Sequence, residues 1–167
     1  MISVIIPSKT DAYLERLLLS LERSSPGQWC AIVIDGGLSE DLRVRWAHRA
    51  SFVEAPVPFV FARALNMGAE RLLEHEHVVF LNDDTQVLKG DLNEAVARIF
   101  DKPHWSYIGL VGFKIYGGCG LDEQRVSSPS RHPNFEGLAD MQETDKTVCF
   151  VAVAIRRAAW DSIGSLD

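Results

Sequence analysis

Nowhere do apolar residues run on long enough to span a bilayer. The stretch 2–6 is cut off by Pro7, and Leu17-Leu18-Leu19 is bracketed by Glu15-Arg16 and Glu22-Arg23. No basic residue precedes the 2–6 stretch, which makes it a poor signal peptide. Cysteine is scarce. Cys30, Cys119 and Cys149 form no C-x-x-C pair, which argues against a disulfide framework and for a reducing, cytoplasmic setting. Positive charge is also short, with 17 Lys and Arg against 23 Asp and Glu and a net charge of −6. A nucleic-acid or anionic-membrane binder needs a basic face that this balance does not provide. No phosphate loop ending in Gly-Lys-Ser/Thr occurs, and Gly117-Gly118-Cys119-Gly120 lacks the strand-to-helix context of a dinucleotide fingerprint. His75-Glu76-His77 has i, i+2 spacing and no third ligand nearby, so it reads as a solvated turn rather than a zinc site. Internal repeats, low-complexity tracts and linkers are missing too, which leaves residues 1–167 as one expected domain.

What is present is ordinary for a folded chain: 47% apolar and 24% charged residues. A chain of this size buries roughly 70% of its unfolded surface. Short β-branched runs at 2–6, 31–35, 51–53 and 77–81 alternate with helical patterns at 11–22, 39–50, 59–74 and 92–100. Leu14, Leu17, Leu18 and Leu21 fall at i, i+3, i+4 and i+7, and Ser39 stands where an N-cap belongs. Phe61, Leu65, Gly68 and Leu72 are expected on one helical face. The second half is less regular. One or two strands are expected in 107–117, long loops in 117–145, a last strand at 147–155 and a short helix at 156–164. Continuous apolar strands alternating with helices predict an α/β fold, a mostly parallel sheet covered on both sides.

In such a sheet the carboxyl ends of the strands share one edge, and ligands bind outside it. Three strands end there in polar residues: Pro7-Ser8-Lys9-Thr10, Asp35-Gly36-Gly37 and Asn82-Asp83-Asp84. Singly each has a bland reading, since Asp-Gly-Gly is a good turn and Asp84 is a good cap. Together they place hydroxyls, a lone Asp and an acidic pair on one rim. Adjacent carboxylates repel one another, and desolvating them is costly. A hard divalent cation removes that problem. Mg²⁺ or Mn²⁺ takes one or two carboxylates and completes its shell with water and phosphate oxygens.

The blocks SVIIPSKT, AIVIDGG, ARALNMGAERL, VVFLNDDTQVL and FVAVAIRRAAWDSIGSLD resemble, in order and spacing, a family 2-type glycosyltransferase of GT-A fold. The resemblance runs from residue 2 to residue 167. It implies a Rossmann-like nucleotide-diphospho-sugar transferase fold and an inverting transfer from a nucleotide-diphosphate sugar, most often a UDP-sugar, to an acceptor hydroxyl. It assigns Pro7, Ser8, Thr10 and Asp35 to the base and ribose. Asn82-Asp83-Asp84 becomes the D-x-D-like triplet, with Asp83 near the ribose or sugar and Asp84, with Asn82, as the metal site for Mn²⁺ or Mg²⁺. Arg63 and Asn66 are expected to face the donor.

The sequence departs from that pattern at its end. IGSLD stands where relatives carry GGFDE and continue to a Glu-Asp motif that supplies the base. The donor half is therefore expected to be complete and the acceptor half cut, with Asp167 the remaining candidate base. Trp105 and His132 are candidates to reach an acceptor, which the sequence does not identify. Self-association is expected through the surface that the last helix leaves open. The main rival is a nucleotide-sugar module, or an inactive fragment, that binds without turnover. A receiver-like phosphotransfer domain ranks below it, because Pro7-Ser8-Lys9 stands where acidic residues belong. A nucleotidyltransferase ranks low as well, for want of a Gly-rich basic loop.

Overall fold

Alternate side chains of a strand face opposite ways, and the first strand uses both faces. In β1 (Ile2–Ser8) Val4 and Ile6 join one apolar cluster and Ile5 the other. β2 (Trp29–Asp35) divides in the same way, Val33 to the first cluster and Ile32 and Ile34 to the second. This computed structural model describes residues 1–73, 76–88, 90–101, 103, 106–113, 115–116, 125–126, 148 and 150–167. His75, Trp105, His132, Cys149 and the run Gly117-Gly118-Cys119-Gly120 lie outside the described residues.

The remaining elements in chain order are α1 (Asp11–Ser24), α2 (Glu40–Trp46), β3 (Ala50–Glu54), α3 (Phe61–Ala69), β4 (Val78–Leu81), α4 (Leu92–Phe100), β5 (Leu110–Gly112), β6 (Ile115–Tyr116), β7 (Arg125–Val126), β8 (Ala152–Ile155) and α5 (Arg157–Ile163). Six strands form one sheet in the order β3-β2-β1-β4-β8-β5, and β6 pairs with β7 apart from it. The strands β1 to β4 are parallel, and β8 runs antiparallel between β4 and β5. The sheet is therefore mostly parallel and covered on both faces, as the alternation requires.

Helices α1, α2 and α4 cover one face with Leu14, Leu17, Leu18, Leu21, Trp46 and Phe100. Each such side chain contributes about 1.5–3 kcal/mol on burial. The side chain of Ser39 accepts the Leu42 N–H and caps α2, as the sequence predicts. On the other face lie α3 and α5, with Ala64, Leu65 and Trp160. The expected stripe holds at Leu65, Gly68 and Leu72, which are buried, and fails only at Phe61. Phe61 is 41% exposed, and the buried residues of α3 are Ala64, Leu65, Gly68 and Ala69. At Gly68 a Cβ would stand 2.3 Å from Ile5 Cγ2, so the helix backbone closes on β1 at that point. Phe61 lies on the same face but is the first residue of the helix. Among the described residues no helix is long and apolar enough to cross a membrane.

Candidate functional site

The parallel register brings the polar strand ends into line. Ser8 pairs with Asp35, and Asp35 pairs with Glu54 at the end of β3. β4 pairs with β1 as far as Ile5, so Pro7 sits beyond that ladder, where a missing N–H removes no bond to β4. The Gly36 N–H then donates to the Ser8 carbonyl at 2.8 Å, continuing the strand pairing into the turn.

The acidic triplet follows β4 as a tight turn. The Asn82 carbonyl accepts the Thr85 N–H at 3.1 Å and the Thr85 hydroxyl at 2.6 Å, which makes Asp83 and Asp84 the central residues. The Asn82 N–H is tied to the Val151 carbonyl at 2.9 Å. Further along, the Val87 N–H donates to Ser20 Oγ and the Leu92 N–H to Ser25 Oγ, both serines being buried in or just after α1. The two carboxylates fare differently. Ser8 Oγ donates to Asp83 Oδ2 at 2.7 Å, whereas Asp84 is exposed and has no partner among the described residues. One acid is thus held by the sheet and the other stands in water, which is how adjacent like charges coexist.

Asp35 is buried and heavily bonded. Its Oδ1 accepts the Gly37 and Leu38 N–H groups at 2.8 and 2.7 Å, and its Oδ2 accepts Arg43 Nε at 2.6 Å. Burial alone would raise its pKa and is the largest single influence, but the Leu38, Gly37 and Arg43 bonds together outweigh it and hold the carboxyl below its usual range. The turn role and the proposed nucleotide role therefore fall on one side chain, two of whose accepted bonds serve the turn and a third holds Arg43 of α2. Thr10 is exposed at the N-cap position of α1, and its hydroxyl makes no cap bond, so it is free for other use.

The residues assigned to the donor from α3 divide in two. Arg63 is exposed, with no ion pair or hydrogen bond among the described residues. Asn66 is not free. Its Nδ2 donates to the Leu166 carbonyl at 2.8 Å and its Oδ1 accepts the Leu166 N–H at 2.9 Å. Asp167 follows, exposed and with no group holding its carboxylate among the described residues.

Sequence reading passed over several rim residues. Lys9 Nζ lies 4.2 Å from the centre of the Phe59 ring, and both crowd Gly36, where a Cβ would meet Lys9 Cγ at 2.5 Å. Lys9 belongs to the polar strand end already singled out, so its position carried a signal. Phe59 and Arg43 carried none, because only the loop and helix geometry brings them to Gly36 and Asp35. Glu54 becomes a rim residue through strand register alone.

Whether the triplet suits a hard cation is decided by its oxygens. Asp84 offers an uncommitted carboxylate, and Asn82 Oδ1 is a buried acceptor with no partner. Both are oxygen donors of the kind Mg²⁺ and Mn²⁺ take, so the residues fit. No group of three or more His, Cys, Asp or Glu side chains gathers among the described residues, which leaves an ion here to find its other ligands in water and phosphate.

The sequence from 3 to 164 matches the family model described as glycosyl transferase family 2. No curated protein matches. Among solved structures, S. aureus TarS 1–349 in complex with UDP is similar at a TM-score of 0.62 and 14% identity, over 97% of this chain and 48% of that one. The galactosyltransferase LgtC with donor and acceptor sugar analogues is similar at 0.59 and 15%, over 96% and 60%. Glucosyl-3-phosphoglycerate synthase from Mycobacterium tuberculosis, with Mn²⁺, UDP and glucosyl-3-phosphoglycerate, is similar at 0.52 and 19%, over 95% and 57%. At these identities the likeness shows the fold, and the chain spans less than two thirds of the length of each.

Proposed function

We propose, from the premise that this chain belongs to glycosyl transferase family 2, that it holds a nucleotide-diphosphate sugar along its carboxyl rim and transfers the sugar, with inversion, to an acceptor hydroxyl. One observation carries the reading. The acidic turn 82–85 stands on the same rim as Ser8 and Asp35, with Asp83 bonded to Ser8 and Asp84 left uncommitted. TarS and the synthase are described with UDP bound, the latter with Mn²⁺, which makes a UDP-sugar the first donor to try.

In this reading Pro7, Ser8, Thr10 and Asp35 bind the nucleoside, Asp83 meets the ribose or sugar, and Arg63 reaches the donor from α3. Asp84 and Asn82 would hold Mg²⁺ or Mn²⁺, which would supply positive charge to the leaving diphosphate. A base takes the acceptor hydroxyl's proton, the oxygen bonds to the anomeric carbon, and the bond from that carbon to the diphosphate breaks. Residues 1–167 would then form one GT-A-type unit that binds the donor.

A second reading, donor binding without turnover, is favoured by Asp167, since no group among the described residues orients the carboxylate of this candidate base. The test is to incubate the chain with UDP-, dTDP- and GDP-sugars and Mn²⁺ and follow the anomeric proton by NMR. Appearance of the inverted sugar supports transfer. Retained configuration rejects the inverting mechanism, and an unchanged donor that nevertheless binds selects the second reading. Self-association belongs to the same proposal, with the end of α5 and its exposed Ile163 as the surface. A clean monomer by light scattering would count against it.

A further inference from the structure

The Asn66 amide meets the Leu166 peptide head-on, one donor and one acceptor on each side, across a sequence separation of 100 residues. Such a two-bond pair fixes orientation as well as distance. Leu166 is anchored a second time, since its side chain packs against the cluster containing Ile5, Leu65 and Trp160. The segment after α5 is thus held by backbone and side chain together.

The topology says where that segment leads. β8 runs antiparallel to β4, so it ends at the edge opposite the rim, and the Arg157 N–H meets His77 Nδ1 just before β4 begins. From there α5 starts back toward the rim and stops at Gly164, whose φ of 76° ends the helix. α3 follows the loop that leaves the rim at Glu54, so it runs the other way. Gly164 and Ser165 share a cavity with Asn66, Ala69 and Glu70, toward the far end of α3, and Leu166 has reached Asn66 itself. Carried on in the same direction, the chain would bring the next residue, Asp167, to the rim end of α3. Arg63 is there, one turn before Asn66 on the same helix face.

We infer that Asn66 is a positioning residue rather than a donor contact: it docks residues 164–167 on α3 so that Asp167 is delivered to the rim beside Arg63. Its part in the reaction rests on the donor-site reading above, but the docking does not. Asn66→Ala removes both bonds, and Asn66→Asp keeps an acceptor for the Leu166 N–H while losing the donor to its carbonyl.

Hydrogen exchange followed by NMR tests the docking directly. In the native chain the Leu166 amide is expected to be protected. In Asn66→Ala its exchange should speed up at least about tenfold while the Leu65 and Ala69 amides keep their rates, and Asn66→Asp should fall between. UDP titration with Mn²⁺ separates the roles. Affinity should stay within twofold in Asn66→Ala and drop at least about tenfold in Arg63→Ala, whose Leu166 amide stays protected. With UDP-glucose hydrolysis as the readout, Asn66→Ala should lower kcat at unchanged KM. An unprotected native Leu166 amide, or a tenfold loss of UDP affinity in Asn66→Ala with that amide still protected, overturns the inference. If the native chain binds no nucleotide the donor-site reading fails, and the exchange experiment still decides whether Asn66 docks the segment.

Discussion

At the scale of single residues, the rim is organised by a few side chains whose partners are far away in sequence. The Ser8–Asp83 bond joins residues 75 positions apart, and no local spacing rule announces it. The polar strand end and the acidic triplet were each legible, but not the bond between them. Ser8→Ala leaves a half-buried carboxylate without its donor, and is expected to cost about 1–3 kcal/mol by urea unfolding. The same variant should weaken UDP binding, because Asp83 loses its orientation. Asp35 was legible both as a turn former and as a ligand group, and the structure gives it the bonds of the first role. Its lowered pKa fixes a pH dependence. The unfolded chain takes up the proton first as pH falls, so the contribution is complete above the ordinary carboxyl pKa of about 3.9 and is lost as pH falls through the lower folded value. Urea midpoints between pH 6 and pH 2.5 should therefore fall more steeply for the native chain than for Asp35→Asn.

At the scale of elements, the helices of the first half were legible because their periodicity faces a sheet that is apolar throughout. α1 and α4 fall close to their expected limits, and the cap of α2 is the serine the pattern required. α3 was legible as a helix and in the face it buries, but not in how closely it approaches β1, since a backbone approach is something hydrophobicity does not record. Gly68→Ala tests this. A Cβ there meets three atoms of the buried Ile5 side chain at 2.3 to 3.2 Å. Overpacking of this kind costs about 1–3 kcal/mol, which outweighs the ~1 kcal/mol of helix propensity that alanine restores, and a lowered midpoint in urea is the expected result. The start of α5 carries a second test. His77 Nδ1 accepts the Arg157 N–H at 3.3 Å, which only an unprotonated nitrogen can do. Burial lowers the His77 pKa most and the Arg156 charge adds to it, while Asp101 at 4.0 Å opposes both. The unfolded chain therefore binds the proton more readily. Stability is complete above pH of about 6.5 and falls as pH drops below it. Melting between pH 7.5 and pH 5.5 should show a loss that His77→Asn largely removes.

At the scale of the whole molecule, the carboxyl rim was foreseeable because strand direction follows from the alternation of elements, and direction alone gathers Ser8, Asp35 and Asp84. The antiparallel β8 was not foreseeable in the same way. A run of apolar residues at 147–155 shows that a strand exists but not which way it enters the sheet, and the strand proper is the shorter Ala152–Ile155. That reversal returns the chain to α5 and makes the Asn66–Leu166 pair attainable. The net charge of −6 also matters to the proposed donor site, since a nucleotide diphosphate would approach a chain of its own sign and a cation held at Asp84 would offset the repulsion locally. At an effective dielectric of 20, unit charges ~4 Å apart attract by about 4 kcal/mol. Most of the donor affinity should therefore pass through one carboxylate. The most direct measurement is calorimetric titration of UDP into the native chain and into Asp84→Ala, each with and without Mn²⁺. The expected result is Mn²⁺-dependent binding to the native chain that weakens at least about 100-fold in the variant. Equal binding by the two proteins, or binding indifferent to Mn²⁺, would contradict it.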